Sequence, residues 1–440
     1  MTALELRIGD NWPLRVPGWV NVHLSGLLWR LRRRHVVQAD RDAPRKRPGS
    51  RPRVGCIGAF SGLLGFPASL FAAFPSTTDL HIYDLQYKGQ LASALIDIAT
   101  AYHPFVLEGS STYRDNVQRI AETINADDLD LLLVMRSKRD AYDVLDHVRT
   151  PCIAHVCTGS DILHHPQVDF DLYCQPEVGF FPVGHELFCE FTRTPLKGRT
   201  VYEASLCFDP RTLDLEAPAP AWRDRSPLIV FHGSLYKMAS TPFLDRIFRV
   251  MADNSQVEFA FMGKDWDGAL ARILEGARRA GVDGRVHYEG TFSAMRNADG
   301  HVDDAGWFRV LALLRRARLA PNPWPMGGAS ARFEAYVMGA PTVHMGLRTD
   351  RASWGTRHHT VCDVPNLLVP QATAYSPEAY QALATRCLTD EAFADSVAAE
   401  QRRVAKAASD PRAYWTHVLR AFDEWRQQRA AAFPSPQAIA

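Results

Sequence analysis

Two glycine-containing segments in the second half of the chain carry residue types that can hold a phosphate. The first is a turn of small residues between an apolar run and a predicted helix; it consists of Gly327, Gly328, Ala329 and Ser330. Small residues at a helix N-terminus let backbone N–H groups approach an anion, and the helix dipole favours its charge. Glu334, in the same predicted helix, could accept hydrogen bonds from ribose hydroxyls. The combination is typical of a site for a nucleoside diphosphate.

The second segment lies at the end of a predicted strand, PLIVFHGS; it consists of His232, Gly233, Ser234 and Lys237. Lys237 could neutralise a phosphate and stabilise a departing nucleoside diphosphate. Taken alone, Lys237 has a simpler interpretation as a solvated lysine. The turn at 327–330 alone could be an ordinary strand-to-helix connection with a surface glutamate.

The third segment, HYEGT at 287–291, ends a further predicted strand. A nucleotide base could lie there against the backbone of Glu289 and Gly290. Open α/β sheets bind their ligands at the carboxyl ends of the strands, so the three segments could contribute to one site. Their order along the chain favours a single site over three unrelated turns.

Apolar runs of strand length alternate with helical patterns through most of the chain. In the first half they are RVGCIGAF, HIYDL, DLLLVMR, CIAHVC and DLYCQ, and in the second half PLIVFHGS, VEFAFMG, RVHYEGT, LAPNP and APTVHM. This alternation indicates βαβ units and parallel sheets. The expected divisions are an N-terminal arm at 1–53, two α/β domains at 54–222 and 223–408 joined by a Pro/Ala-rich linker at 211–226, and a C-terminal helix at 409–440 that returns to the first domain.

The sequence from 226 to 408 resembles the donor-binding domain of glycosyltransferases with the GT-B fold. The resemblance rests on SLYK, a helix, GVDGRVHYEG and RRARLAPNPWPMGGASARFEAYVMGAPTV in that order, and on the closing stretch DVPNLLVPQATAYSPEAYQALATRCLTDEAFADSVAAEQRRV. In detail the sequence is most similar to glycosyltransferase family 41, which includes the O-GlcNAc transferases and bacterial cytoplasmic N-glucosyltransferases. The resemblance implies an α/β fold of two Rossmann-like domains facing across a cleft, with the first domain binding the acceptor.

By this resemblance Lys237 contacts a phosphate, Glu334 binds the ribose, and residues 328–330 hold the pyrophosphate. The family's reaction uses a UDP-sugar as co-substrate, of the glucose or N-acetylglucosamine type, inverts the anomeric carbon, and needs neither a metal nor another cofactor. The sequence shows no tetratricopeptide repeats, which present protein substrates to O-GlcNAc transferase, and its turn reads GGASAR rather than a Thr- or Asn-rich version. The acceptor, a hydroxyl or an amide, therefore stays open among a protein, a glycan and a small molecule.

Two alternatives remain beside this interpretation. Retaining glycosyltransferases of family 4 carry a Glu-x7-Glu motif; Glu334 fills its last position, but Met326 occupies the first. HVCTGSD at 155–161 nevertheless resembles a segment of that family. A module that binds a nucleotide sugar without catalysis would keep Lys237 and Glu334 and lack a general base. The sequence has no G-x-x-x-x-G-K-[ST] loop, which argues against an NTPase.

An acceptor hydroxyl or amide needs a group that receives its proton, and histidine or aspartate suits this role. His155 and Asp161 are the catalytic candidates because they lie at or just beyond a predicted strand, and His164 and His165 come next in the chain. The alternative for His155 is a buried core histidine. His164 and His165 have no acidic or cysteine partner at ligand spacing, so we expect no metal site.

Two Asp-x-Asp triplets, at 128–130 and 169–171, have the form of the metal-binding triplet of single-domain GT-A enzymes. Both stand at the entrance of an apolar strand run, and we interpret them as structural. His358 and His359, in SWGTRHHTV, lie beside a segment that could close over a donor, but a polar loop is the favoured interpretation.

The bulk composition describes a globular protein: 440 residues, 46% hydrophobic and 22% charged, with a net charge of +1. This charge indicates no particular partner, and no nucleic acid is expected. The eight cysteines form no Cys-x-x-Cys pair and mostly lie in apolar runs, as reduced buried thiols do. No segment approaches the roughly 20 apolar residues that span a bilayer, and no signal peptide is evident, so a cytoplasmic protein is expected.

The N-terminal arm has its own character. Residues 12–53 contain Trp12, Trp19 and Trp29, followed by a run of arginines and a lysine. Tryptophans suit a membrane interface and arginines suit anionic headgroups, so peripheral membrane contact is one interpretation. We favour the other, a solvated arm that packs a few aromatic side chains on the main body.

Overall fold

The computed structural model describes most of the chain from residue 51 onward; the described residues are 51–60, 68–86, 93–106, 113–135, 143–157, 165–174, 180–183, 186–189, 194–204, 207–208, 213–265, 268–292, 304–324, 327–346 and 367–432. Several sequence predictions lie outside these ranges; they concern the arm at 12–50, Asp161, His164, Met326, His358 and His359. Within the described ranges the chain forms two compact units. The N-terminal unit contains residues 51–174, 180–207 and 410–432, and the C-terminal unit contains residues 208–409.

The N-terminal unit is built on a sheet of nine described strands. They are β1 (Arg53–Gly58), β2 (Asp79–Gln86), β3 (Ala101–Val106), β4 (Leu131–Met135), β5 (Ile153–Cys157), β6 (Phe170–Tyr173), β7 (Phe180–Val183), β8 (Glu186–Cys189) and β9 (Thr194–Glu203). Their order is β3-β2-β1-β4-β5-β6-β9-β8-β7. The first seven in this order are parallel, and β8 and β7 are antiparallel additions at the edge. The order 3-2-1-4-5-6 is that of a Rossmann fold.

The described helices of this unit are α1 (Ala68–Ala72), α2 (Ser93–Ile96), α3 (Tyr113–Ala126) and, at the end of the chain, α11 (Pro411–Ala432). Helix α3 places Val117, Ile120 and Ile124 in a buried cluster with β4, whose five residues are all buried. Strands that are buried along their whole length read as continuous apolar runs because elements cover both faces of a parallel sheet. That is why LLLVM has no alternation.

Helix α11 packs in the N-terminal unit although it is the last of the described elements. Trp415 is 1% exposed, and its indole Nε1 donates to the Leu70 carbonyl at 2.7 Å. The Trp415 ring also lies edge-on against Phe74, with ring centroids 4.6 Å apart. Val418, Phe422 and Trp425 of the same helical face are buried. The apolar stripe of this helix therefore finds its partner in α1 and its surroundings.

The C-terminal unit has a four-stranded parallel sheet in the order β12-β11-β10-β13 and a two-stranded parallel pair, β14-β15. The strands are β10 (Ser226–His232), β11 (Glu258–Met262), β12 (Val286–Tyr288), β13 (Ala317–Leu319), β14 (His344–Met345) and β15 (Thr373–Ala374). The helices are α4 (Leu235–Met238), α5 (Thr241–Asp253), α6 (Ala269–Arg279), α7 (Asp304–Arg316), α8 (Ala329–Val337), α9 (Pro377–Thr389) and α10 (Glu391–Ala408). The winding of the four-stranded sheet reverses between β10 and β13, which is where such sheets bind ligands.

Helix α5 shows how the pattern of apolar residues determines this core. Phe243, Ile247 and Met251 recur at helical spacing, and all three are 0% exposed. Ser240 occupies the N-cap position, but its side chain makes no capping hydrogen bond; its carbonyl accepts from the N–H groups of Phe243 and Leu244. Burial of the apolar face therefore contributes more to this helix than its cap does.

The segment LAPNP departs from the sequence prediction of a strand. Strand β13 ends at Leu319, and residues 320–323 follow it without regular secondary structure. Pro321 and Pro323 have no N–H group, so they cannot continue a regular ladder. The residues that precede each proline do pair: Ala320 donates to the Pro341 carbonyl at 2.8 Å and Asn322 to the Val343 carbonyl at 2.9 Å.

The described cysteines support the prediction of reduced, buried thiols: Cys56, Cys152, Cys174, Cys207 and Cys387 are free and buried. Burial raises the pKa of the Cys174 and Cys387 thiols to about 12. Among the described residues, no helix combines the length and the apolar character that crossing a membrane requires.

Candidate functional site

Three glycines bring the carboxyl ends of β10, β11 and β12 into close contact. Gly233, Gly263 and Gly290 have φ angles of +133°, +156° and +91°, which favour glycine. Gly233 donates to the Met262 carbonyl and Gly263 to the Gly290 carbonyl, both at 3.1 Å. A Cβ on Gly263 would lie 1.6 Å from the Gly233 carbonyl oxygen. Gly263 is a site residue that the sequence analysis missed, although a glycine directly after the strand VEFAFM was its visible signal.

His232 and Glu334 meet at the end of β10. His232 is the last residue of that strand, Glu334 lies in α8, and Nε2 of the histidine is 2.7 Å from Oε2 of the glutamate. Both residues are buried, at 4% and 6% exposure. A short contact between a carboxylate and an imidazole N–H fixes the orientation of both side chains in a low-dielectric setting. The two residues were predicted from separate segments, and the structure brings them together.

Lys237 joins the same two segments a second time. Its Nζ donates to the carbonyl of Gly327 at 3.2 Å, which places the lysine beside the small-residue turn. The turn itself is fixed by Asn322, whose Oδ1 accepts from the N–H of Gly328 at 2.9 Å. Asn322 is 4% exposed and was not singled out in the sequence. Its position after β13 puts it on the other side of the winding reversal from His232.

The N-terminus of α8 begins at this turn. Gly328 is the N-cap residue, and no side chain caps the helix. The first N–H groups of a helix have no partner within it, so they can bind an anion that approaches its end. Ala329 and Ser330 form the first turn, and Ser330 is exposed.

A small cavity lies at the carboxyl ends of β10 and β13, where the winding of the sheet reverses. Its lining includes His232, Asn322, Arg332 and Thr342. Arg332 is 2% exposed and places a cation at the edge of the cavity. The sequence analysis did not identify Arg332, because an arginine within a helical pattern is most often solvated.

The remaining residues predicted for this site contribute through their backbone. Glu289 has an exposed side chain, and its N–H donates to the Phe261 carbonyl at 2.9 Å. Gly290 supplies the carbonyl that binds Gly263. Ser234 is the N-cap residue of α4 and makes no side-chain capping bond. The hydroxyl of Tyr288, which the sequence analysis did not consider, donates to the Gly263 carbonyl at 3.0 Å.

The candidates for a general base lie in the N-terminal unit or outside the described residues. His155 is in the middle of β5 and 1% exposed, and its Nδ1 is 3.0 Å from Oδ1 of Asp171. Asp161 and His164 are outside the described residues. His165 is 2% exposed; its Nδ1 accepts from the N–H of Gln167, so its Nε2 carries the proton that faces Asp146 Oδ1 at 3.2 Å. The sequence analysis gave His165 no acidic partner, because Asp146 reaches it through the fold.

Carboxylates of the two Asp-x-Asp triplets accept hydrogen bonds from the first residues of neighbouring strands. Asp130 Oδ2 accepts from the N–H of Arg53 at 2.8 Å, and Asp169 Oδ2 accepts from the N–H of Ile153 at 2.8 Å. Asp171 pairs with His155. These carboxylates are occupied with the starts of β1 and β5 and with a buried histidine, as their interpretation as strand entrances predicts.

Several solved glycosyltransferase structures have a similar fold. A mutant form of the O-GlcNAc transferase of Thermobaculum terrenum is 15% identical; the match covers 94% of this chain and 75% of that one, with a TM-score of 0.67. The lipopolysaccharide outer core galactosyltransferase WaaB is 12% identical over 84% of this chain and 99% of its own, with a TM-score of 0.53. Anabaena HepE in complex with UDP and glucose is 11% identical over 85% of this chain and 100% of its own, with a TM-score of 0.51. No protein-family model and no curated protein matches the sequence.

These likenesses establish the class of fold. Both units carry parallel α/β sheets, and the solved structures that match across most of the chain are GT-B glycosyltransferases. The chain has the GT-B fold, with two Rossmann-like units, as the sequence from 226 to 408 indicated. One of the similar structures is an O-GlcNAc transferase, the type of enzyme that this segment resembles.

Proposed function

We propose that this chain is a glycosyltransferase that moves a sugar of the glucose or N-acetylglucosamine type from a UDP-sugar to an acceptor hydroxyl or amide. The observation that carries the proposal is the meeting of two sequence segments at the carboxyl end of β10. His232 contacts Glu334, and Lys237 contacts the turn at 327–330. A strand end, a glycine turn, a helix N-terminus, a cation and a buried carboxylate are the parts that bind a nucleoside diphosphate.

Each of these residues has a role in the proposed donor complex. The first turn of α8 and Lys237 would hold the pyrophosphate, because both supply positive charge at one point. Glu334 would bind the ribose: a carboxylate offers about four acceptor positions, and His232 orients it. The base would lie near the end of β12, at Glu289 and Gly290. The complex of HepE with UDP and glucose supports a uridine nucleotide as the ligand of such a fold.

The proposed reaction inverts the anomeric carbon without a metal. The acceptor oxygen or nitrogen forms a bond to the anomeric carbon, the bond from that carbon to the phosphate oxygen breaks, and UDP leaves with the electron pair. The acceptor's proton passes to a general base, for which His155 and Asp161 are the candidates. Lys237 and the α8 N-terminus would stabilise the charge that develops on the leaving diphosphate.

A second candidate function has one observation in its favour. His155 lies inside β5 at 1% exposure and is already paired with Asp171, which suits a structural histidine. A module that binds a nucleotide sugar without transferring it would need His232, Lys237 and Glu334 but no base. Acceptor-dependent release of UDP separates this candidate from the enzyme.

The first experiment is a donor screen. Purified protein is tested by thermal shift with UDP, UDP-glucose and UDP-N-acetylglucosamine, and with ADP-glucose and GDP-mannose as controls. A ligand that binds only the folded state stabilises it by an amount that grows with the logarithm of ligand concentration over Kd, so at equal concentrations the uridine nucleotides should raise the melting temperature most. Equal or absent shifts with all five nucleotides would contradict the proposal. Release of UDP from the best donor then measures turnover.

A further inference from the structure

Three side chains of the N-terminal unit converge on one point that the proposed reaction does not use. His81 lies in the first half of β2, His103 in the first half of β3, and Asp127 directly after α3. Nδ1 of His81 is 3.1 Å and Nε2 of His103 is 2.9 Å from the same carboxylate oxygen, Oδ2 of Asp127. The three ligand atoms all lie within 4.8 Å of one another.

The sheet register explains why the three side chains meet. Strands β2 and β3 are parallel, with His81 opposite Ala101 and Tyr83 opposite His103. Alternate residues of a strand point to the same face, so His81, Tyr83 and His103 share one face. Arg53, the first residue of the neighbouring strand β1, fixes the position of Asp127, because its Nη1 donates to the Asp127 carbonyl at 3.0 Å.

Hydrogen bonding does not account for these short distances. The two histidine nitrogens are buried and lie within ion-pair distance of the carboxylate oxygen, yet neither forms a hydrogen bond among the described residues. Buried polar atoms that make no hydrogen bond are few in folded proteins and call for an explanation, one of which is an ion that binds there.

The distances suit a metal ion at the centre of the group. A tetrahedral zinc ion binds histidine nitrogen and carboxylate oxygen at about 2.0–2.2 Å, which separates neighbouring ligand atoms by about 3.3 Å. The two measured separations from Asp127, 3.1 and 2.9 Å, are near that value. The side chains of His103 and Asp127 are 28% and 19% exposed, so water can reach a fourth coordination position.

Tyr83 contacts two of the three candidate ligands and can hold them in place. Its hydroxyl donates to Oδ2 of Asp127 at 2.5 Å, and its ring stacks on His103 with centroids 5.2 Å apart and planes 10° from parallel. Partners of this kind orient the ligands and hold them ready for the metal.

We propose that His81, His103 and Asp127 bind one zinc ion, with water as the fourth ligand, at the amino-terminal part of β2 and β3. The ion ties the edge strand β3 to β2 and to the connection between α3 and β4. The site belongs to the N-terminal unit and lies toward the strand ends opposite to those that bind ligands in Rossmann folds. The proposal does not depend on the donor or the reaction proposed above.

The test measures zinc in the whole chain after removal of any affinity tag. The protein is incubated with zinc chloride, dialysed and analysed by mass spectrometry of the metal, and its zinc affinity is measured by competition with a chromophoric chelator. We expect one zinc ion per chain in the wild type and a visible absorption band of four-coordinate Co²⁺ on substitution with cobalt. His103→Ala and Asp127→Asn should lose both, and Tyr83→Phe should bind zinc about 10-fold more weakly.

The matched control is His287→Ala, because His287 is an exposed histidine of the C-terminal unit. It should bind zinc as the wild type does, and UDP affinity should be the same in His103→Ala as in the wild type. His103 is partly exposed on the edge strand, so its variant is the one expected to fold if Asp127→Asn does not; circular dichroism checks this. Zinc well below one ion per chain in the wild type, or unchanged zinc affinity in folded His103→Ala, would overturn the site.

Discussion

Nε2 of His232 and Oε2 of Glu334 lie 2.7 Å apart, although 102 residues separate the two in the chain. The contact joins the end of β10 to α8, across the point where the winding of the C-terminal sheet reverses. A buried carboxylate held by a histidine is already oriented before a ligand arrives, which reduces the entropy that binding costs.

Removal of either charged group should weaken nucleotide binding. Lys237→Ala and Glu334→Ala each lose a hydrogen bond to a charged group, which costs about 1.5–3 kcal/mol, or about 10- to 150-fold in the Kd for UDP. Isothermal titration calorimetry measures the change. Lys406→Ala is the control, since Lys406 is exposed in α10 and pairs with Glu216 on the surface. Unchanged UDP affinity in both test variants would show that the nucleotide binds elsewhere.

The His232–Glu334 contact should appear as a coupling energy. His232→Phe leaves a buried carboxylate without this donor, and Glu334→Gln removes its charge, so each single variant should lower the free energy of unfolding by about 1–3 kcal/mol. The double variant should cost less than the sum, with a coupling of about 0.5–3 kcal/mol. Urea unfolding of the four proteins completes the cycle. Strictly additive effects would mean that the two side chains contribute independently.

Gly263 should tolerate no side chain. Alanine there would place its Cβ 1.6 Å from the Gly233 carbonyl oxygen in a backbone with φ of +156°. We expect Gly263→Ala to lower the free energy of unfolding by more than about 3 kcal/mol, the range of severe backbone effects. Gly284→Ala is the matched control because nothing lies within 4 Å of its Cβ position. Melting temperatures compare the two, and equal values would contradict the close packing of the strand ends.

The sequence predicted individual elements well where one periodic pattern determined them. The spacing of Phe243, Ile247 and Met251 predicted α5, and an uninterrupted apolar run predicted β4, because burial determines such elements. LAPNP failed as a strand because Pro321 and Pro323 remove the donors of a ladder. In this segment the apolar composition predicts burial but not a strand.

Several contacts between distant segments could not be predicted from the sequence. Asn322 beneath the turn, Arg332 at the cavity and Asp146 beside His165 depend on which strands become neighbours, and no local spacing encodes that order. The group of His81, His103 and Asp127 was missed for the same reason: its members belong to three elements that the sheet register brings together. That Lys237 and the turn at 327–330 belong to one site was predictable, because both segments follow predicted strands of an open α/β sheet.

Stability should fall at acidic pH through His344. Burial, and then the charge of Arg332, hold the pKa of His344 well below 6.5, and its Nε2 lies 2.8 Å from Thr373 Oγ1. Above pH 6.5 both the folded and unfolded states carry the neutral ring. Below that value the unfolded state binds a proton that the folded state refuses, so this histidine lowers the free energy of unfolding by about 1.4 kcal/mol per pH unit.

The comparison for this effect is His344→Gln, which keeps an N–H donor but does not titrate. Urea unfolding followed by tryptophan fluorescence at about pH 7.5, 6.5 and 5.5, on either side of the ordinary histidine pKa, gives the slopes. The wild type should lose more stability than the variant between the two lower values. Parallel curves for the two proteins would assign the acid sensitivity to other groups.

The stereochemistry of transfer tests the proposed chemistry most directly. In the proposed reaction, attack on the anomeric carbon as UDP departs from the opposite side would invert its configuration, and Lys237 with the α8 N-terminus would stabilise the leaving group without a metal. NMR of the product formed from a UDP-sugar of known configuration should show the opposite anomer, and EDTA should leave the initial rate unchanged.

Asp161→Asn should lower kcat by about 100-fold or more if it is the base. His155→Gln should do so instead if the histidine is the base, with Asp171 holding its ring. Retention of configuration would favour a retaining enzyme. A rate that is lost in EDTA and restored by manganese, but not by zinc, would favour a metal-dependent enzyme. In either case the His232–Glu334 site could still bind the nucleotide while another group performs the transfer.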